Sequence, residues 1–317
     1  MLPVCETDEY VKKLLSARRA GEQGVLAFYE HRLGCVCRNP RLMLMPMDDH
    51  LAHRGDGVFE TMKWEDGLLY QLDAHIDRLR RSTAGVYLAP PCAWDRLREI
   101  ALEVACVADA PHGMLRIIVG RGPGGFGLDP AECPISSLYV VAYAFHPKPQ
   151  EWFEEGITAF RSSVPAKPAF MARLKSTNYM PNVLMRREAT ERGMDLPLAF
   201  DENDFLAEGA TENVALVDAR GTLVIPEFTN ALSGTTVMRA VDLLKEEMPV
   251  EFRRVREDDL YRAREVMALG TSADCVSVVR FEGQPIHDVR PGPVAGRIRS
   301  LLRQDIKNTG TPVRMAP

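Results

Sequence analysis

Lys175 stands in the run Leu174, Lys175, Ser176, Thr177, Asn178, Tyr179, a small and mostly uncharged setting for an amine. Downstream come Ala207, Glu208, Gly209 and then Ser233, Gly234, Thr235, Thr236. A lysine that is neutral can attack an aldehyde and form an imine, which requires desolvation or a nearby cation. A carboxylate can keep a heterocyclic nitrogen protonated, so that negative charge developing on a substrate drains into the ring. A Gly-Thr-Thr turn that opens a helix offers N–H groups and hydroxyls to an anion. Aldehyde, ring nitrogen and phosphate are the three handles of pyridoxal 5'-phosphate, and these segments supply one group for each.

The remaining composition narrows the classes. The chain has 317 residues, 46% hydrophobic and 26% charged, with net charge −5. It is long enough for two cores, and its acidic balance gives no footprint for nucleic acid or an anionic membrane. Seven cysteines are scattered and odd in number; Cys35 and Cys37 form a CxC with no second pair nearby. Neither a zinc site nor a disulfide framework is expected, and a cytoplasmic protein with reduced thiols is. Glu6, Asp8, Glu9, Lys12 and Lys13 arrive too early for a signal peptide, and no run is apolar enough to span a bilayer.

These groups need elements to hold them. Periodicity predicts a surface helix over residues 9–20, a strand over 41–47, a strand over 57–64 and a hairpin through Glu65, Asp66 and Gly67 onto 68–72. Asp73 and Asp95 are predicted N-caps of helices 74–84 and 96–107. Apolar strands follow at 114–119 and 137–143, separated by a glycine-rich loop, 120–130, that does not open a helix and so is no dinucleotide site. His146 to Pro149 break the pattern, which divides the chain into an N-terminal domain (1–145), a linker (146–150) and a C-terminal domain (151–317). The second domain is read as strands at 156–164, 196–201, 214–218, 223–226, 265–269 and 276–281. Its helices are placed at 177–192, 236–247 and through 298–302. Strands and helices mix without strict alternation, so the class is α+β.

In their order these motifs resemble the fold-type IV pyridoxal-phosphate enzymes: branched-chain aminotransferases, D-amino acid transaminases and aminodeoxychorismate lyases. The resemblance runs over residues 30–295. It is carried by Asp49 to Thr61, Leu69 to Leu79, Gly125 to Pro130 and Lys175 to Asn182, and lies nearest the D-amino acid transaminase and lyase branch. It implies a smaller α/β N-terminal domain, a larger pseudo-barrel C-terminal domain and a homodimer. Lys175 matches the Schiff-base lysine, Glu208 the partner of the pyridine nitrogen, and Tyr179 the group beside the cofactor's phenolic oxygen. Arg78, Thr235, Thr236 and Thr271 match phosphate contacts. Arg54, Phe59, Arg121 and Ser272 are the substrate-side candidates. Phe59 stands where bacterial D-amino acid transaminases carry tyrosine, their Arg-x-His clamp is missing from the loop, and Arg54 adds a cation where branched-chain enzymes show tyrosine.

The expected activity is amino transfer between an amino acid, D- or branched-chain among the candidates, and a 2-oxo acid. The alternative is an aminodeoxychorismate lyase releasing 4-aminobenzoate and pyruvate. A non-catalytic binding protein on the same fold is the remote third, and intact Lys175 and Glu208 argue against it. His50, His53 and His75 lack metal-ligand spacing, so no metal is expected.

Overall fold

The computed structural model describes residues 1–313. It divides into two units, Met1–Phe145 joined by the tail strand Thr311–Pro312, and His146–Gly310. The last strand therefore belongs to the first unit, where it pairs with Leu68–Leu69, and not with the C-terminal domain to which the sequence reading assigned it. Residues 144–149 carry no regular element.

The first unit is built on a seven-stranded sheet. Its order is Thr311–Pro312, Leu68–Leu69, Gly57–Glu65, Gly113–Gly120, Ser137–Tyr143, Val25–Glu30 and Cys35–Cys37, with every pair antiparallel. Along Gly113–Gly120, Leu115, Ile117 and Val119 alternate into the core while Arg116 faces out, as the period of two in a pleated strand requires. Helices Leu72–Gly85 and Trp94–Val107 present Leu72, Ile76 and Leu79, and Leu97, Ile100, Ala101 and Val104, to that core. Those are the three- and four-residue steps that put side chains on one helix face.

The second unit carries a nine-stranded mixed sheet. Strands Leu196–Phe200, Asn213–Val217 and Leu223–Pro226 are buried at every position, the pattern of strands covered on both faces. The two ends of the sheet meet: Phe205 bridges Arg256, and the Leu206 N–H donates to the Val255 carbonyl at 2.8 Å. That closure curls the sheet toward a barrel. Outside it, the helices Thr235–Leu244 and Pro293–Thr309 are tied by Arg239, whose Nε donates to Asp305 Oδ2 at 2.8 Å.

Several expectations give way to stronger local terms. Residues 41–47 are not a strand. Pro40–Leu42 is a single 3-10 turn, and the stretch is pinned by arginine side chains instead of a ladder: Arg19 donates to the carbonyls of Pro40 and Met43, and Arg41 to that of Leu15. Pro40 and Pro46 lack the N–H groups that a ladder needs. The N-terminal helix spans Thr7–Ser16 and buries none of its residues. Asp73 and Asp95 are not caps; the helices begin two residues earlier than expected, at Leu72 and Trp94, and both acids lie in the first turn, where they favour the helix dipole. The helix after Lys175 begins at Met180, with Pro181 in its first turn. Tyr179 is thus the N-cap residue, and Lys175 to Tyr179 is not a helical turn.

Candidate active site

The second unit brings its chemistry together from three short segments. Lys175 and Tyr179 lie in the irregular stretch between helices Ala169–Ala172 and Met180–Arg192. Although that stretch is not helical, the Lys175 Nζ donates to the Tyr179 hydroxyl at 3.1 Å. Glu208 comes from the strand Leu206–Gly209. Its Oε2 accepts from the Leu232 N–H at 2.9 Å, and its Oε1 lies 3.7 Å from the Lys167 Nζ. Burial pushes the Glu208 carboxyl above its ordinary value, against the opposing pull of Lys167, the Leu232 N–H and Lys175.

Leu232 is three residues before the helix Thr235–Leu244, so the backbone that grips Glu208 runs straight into a helix N-terminus. Thr235 and Thr236 open this helix, and both are buried. Gly234 is required for space: a Cβ there would overlap the Asn213 Oδ1. Thr271 and Ser272 occupy the half-buried turn between strands Glu265–Gly270 and Asp274–Phe281.

Three asparagines, none given a role from sequence, lace these segments. Asn182 Nδ2 donates to the Ala210 carbonyl at 2.5 Å, Asn213 Nδ2 to the Leu232 carbonyl at 2.8 Å, and Asn230 Nδ2 to the Lys167 carbonyl at 3.0 Å. Lys167 was also missed. Its Nζ lies 5.3 Å from the centre of the Tyr179 ring, and that of Lys175 lies 5.6 Å from it. A lysine placed between Pro165 and Pro168 was the available signal. Cavities of about 410 and 350 Å³ flank the segments, one reaching Ala207 and Asn230, the other Tyr179 and Asn182. Neither is lined by Lys175 or Glu208.

In the first unit Arg78 is buried beside Glu60. Its Nε and Nη2 each donate to a Glu60 carboxylate oxygen at 2.7 Å, and His75 Nδ1 lies 2.7 Å from Glu60 Oε2. Burial alone would raise the Glu60 carboxyl, but Arg78 and then His75 hold it down at about 2. Phe59 is buried on the strand Gly57–Glu65, with the Arg116 guanidinium 5.3 Å from its ring centre.

Arg54 and Arg121, the substrate-side candidates, both have partners within the first unit. The Arg121 Nε and Nη2 bind the Asp56 carboxylate at 2.9 and 3.0 Å, and its Nη1 and Nη2 donate to the Tyr87 and Val86 carbonyls. The Arg54 nitrogens donate to the carbonyls of His53, Phe126 and Gly127. Both guanidinium groups are therefore taken up in holding the glycine-rich loop. The loop is folded on itself: Gly122 has φ 108°, and a Cβ there would overlap the Ile135 carbonyl. Among the described residues, no cluster of His, Cys, Asp and Glu is arranged to hold a metal ion, and no helix is long and apolar enough to cross a membrane.

The family described as amino-transferase class IV matches residues 57–281, which include Arg78, Lys175, Tyr179, Glu208 and the Thr235–Thr236 helix start. The chain belongs to the class IV aminotransferases. Its activity is amino transfer and its cofactor pyridoxal 5'-phosphate. Among class IV relatives, the chloroplastic D-amino-acid transaminase of Arabidopsis thaliana is 33% identical over 99% of this chain and 85% of its own. The branched-chain-amino-acid aminotransferase of Salmonella typhimurium is 30% identical over 80% of this chain and 85% of its own. Among solved structures, the branched-chain aminotransferase of Escherichia coli superposes with a TM-score of 0.82 at 26% identity, covering 90% of this chain and 95% of the other. A hypothetical aminotransferase from Mycobacterium tuberculosis, solved in its PLP-bound form, gives 0.75 at 23% identity, covering 89% and 99%. That pair shares a fold, the two-unit α+β architecture described above.

Proposed function

We propose that Lys175 is the imine-forming lysine through which this class IV aminotransferase moves an amino group between an amino acid and a 2-oxo acid. The observation that carries the reading is the single cradle of amine, phenol, buried carboxylate and helix N-terminus in the second unit. The donor set fits pyridoxal 5'-phosphate: one amine for an aldehyde, one carboxylate for a basic ring nitrogen, one helix start for a phosphate. When bound, the cofactor supplies the aldehyde carbon and an electron-withdrawing ring.

The chain's own residues do the rest. The Tyr179 hydroxyl holds the Lys175 Nζ in place. The freed Lys175 amine would take the proton from the substrate Cα and give it up on the cofactor's side of the C–N bond, since return to Cα would only regenerate the amino acid. Glu208, fixed by the Leu232 N–H, holds a proton on the ring nitrogen. Thr235 and Thr236, with the helix N-terminus and Thr271, are the phosphate contacts of the second unit, and Arg78 is kept as a phosphate candidate on the motif likeness alone. Phe59 and Ser272 are kept as substrate-side candidates on the same likeness.

A D-amino acid substrate is favoured by the Arabidopsis relative, which matches over nearly the whole chain; branched-chain substrates rest on the shorter matches. The relatives are aminotransferases by name, and no observation favours the lyase. Seven free thiols suit a reducing compartment such as the cytoplasm. The test is borohydride reduction of the holoenzyme followed by peptide mass spectrometry, then a panel of D- and L-amino acids read by keto acid release. A pyridoxyl group on Lys175 and turnover of one enantiomer are expected; no adduct on Lys175 would overturn the reading.

A further inference from the structure

Lys167 lies in the second unit, in the stretch between the strand Ile157–Arg161 and the helix Ala169–Ala172. Three observations single it out. Its side chain is 14% exposed, and its Nζ faces Glu208 Oε1 at 3.7 Å, an ion-pair distance longer than a hydrogen bond. The other carboxylate oxygen is already taken by the Leu232 N–H, so the two oxygens have separate partners. The Lys167 backbone is fixed from both sides: Asn230 Nδ2 donates to its carbonyl, the Ala166 N–H donates to the Phe200 carbonyl at 2.9 Å, and Pro168 follows directly. A residue before proline is confined to extended conformations, which restricts where the ammonium can point. The same ammonium lies 5.3 Å from the Tyr179 ring centre.

We propose that Lys167 is a positioning residue for amino transfer, keeping Glu208 ionised and oriented while itself touching neither substrate nor cofactor. The proposal rests on the reading of Glu208 as the ring-nitrogen partner. A carboxyl this buried favours its neutral form, and a neutral acid cannot hold the ring nitrogen as a cation. The charged groups facing Glu208 are Lys167 and Lys175, which precede and follow the helix Ala169–Ala172 in the chain. The Lys175 charge is not permanent, because its nitrogen is the one that bonds to carbonyl carbon. Lys167 is the cation that stays through the whole cycle.

The experiment uses Lys167→Met, Lys167→Arg, Glu208→Gln and the Lys167→Met/Glu208→Gln double variant. In cofactor-free protein labelled with 13C at glutamate side chains, the Glu208 resonance is assigned by its loss in Glu208→Gln. Lys167→Met should raise its titration midpoint by about one pH unit or more, the usual effect of losing an opposite charge at this range, and Lys167→Arg should restore it. In the holoenzyme the acidic limb of the kcat/KM profile should move in the same direction. In the Glu208→Gln background, Lys167→Met should change neither the bound cofactor's absorption spectrum nor turnover. A normally melting Lys167→Met with an unmoved Glu208 midpoint, or losses that add in the double variant, overturns the proposal. A shifted midpoint in a protein that borohydride does not label at Lys175 overturns the role in the reaction, and locates the failure in the assignment of Lys175 instead of the ion pair.

Discussion

Glu208 occupies a place where a carboxylate is costly. Its carboxyl is raised above the ordinary value by burial, in spite of two lysines and an N–H. An acid whose folded value is raised binds its proton more tightly folded than unfolded. It therefore weakens the fold at neutral pH, and the penalty disappears as pH falls below the ordinary carboxylate range. Cofactor-free Glu208→Gln should then melt at or above the wild-type temperature at pH 7, with the difference closing on acidification; calorimetry across pH checks this, and a lower melting temperature at pH 7 would refute it. The same variant should bind the cofactor yet lose about a hundredfold or more in kcat, as the loss of a preorganised electrostatic partner typically does. Such a stability gain at the expense of activity is the trade expected of a functional residue. Lys175→Ala should abolish turnover and borohydride labelling together, because nucleophile and proton carrier are one atom. Residual turnover above the uncatalysed rate would point to another base.

At the scale of elements, the strand Gly57–Glu65 and the helix Leu72–Gly85 are fastened by Glu60, Arg78 and His75, an ion cluster inside the first unit. Glu60→Gln leaves Arg78 buried without its counter-charge and should cost about 3–5 kcal/mol. Since the Glu60 carboxyl is held at about 2, its contribution is fully present above the ordinary carboxylate range and is lost as pH falls from there through about 2. Acid unfolding of Glu60→Gln should accordingly be flatter than that of wild type; parallel curves would sink the argument. The sequence announced both elements, because apolar steps and turn residues are local signals. It picked out the segments around Lys175, Glu208 and Thr235 for the same reason, as compact motifs. It did not announce Glu60, Asn182, Asn213, Asn230 or Lys167, whose partners lie from 15 to 63 residues away. A side chain that bonds to a distant backbone carbonyl leaves no periodicity behind. The carbonyls that Arg54 and Arg121 hold were not legible either: an arginine in a loop looks open until they are seen.

At the scale of the whole molecule, the helix Met180–Arg192 exposes apolar side chains. Met180, Val183 and Leu184 are 68%, 58% and 44% exposed, and Phe170 nearby in sequence is 74% exposed. Positions 180, 183 and 184 follow the i, i+3, i+4 rule that puts side chains on one helix face, so this is a stripe and not scattered residues. A contiguous apolar patch of this kind marks an interaction surface. The helix starts one residue after Tyr179, so the stripe adjoins the segment that carries Lys175. We propose a second copy of the chain as the cover, in keeping with the homodimer that the sequence likeness implies. Sedimentation velocity should show a dimer for wild type, and Val183→Glu with Leu184→Glu should shift it toward monomer, since two charges at a buried contact oppose association. Turnover should fall in step with dissociation, while the circular dichroism stays that of the folded chain. A wild-type protein that sediments as a fully active monomer would show that the stripe serves something other than self-association.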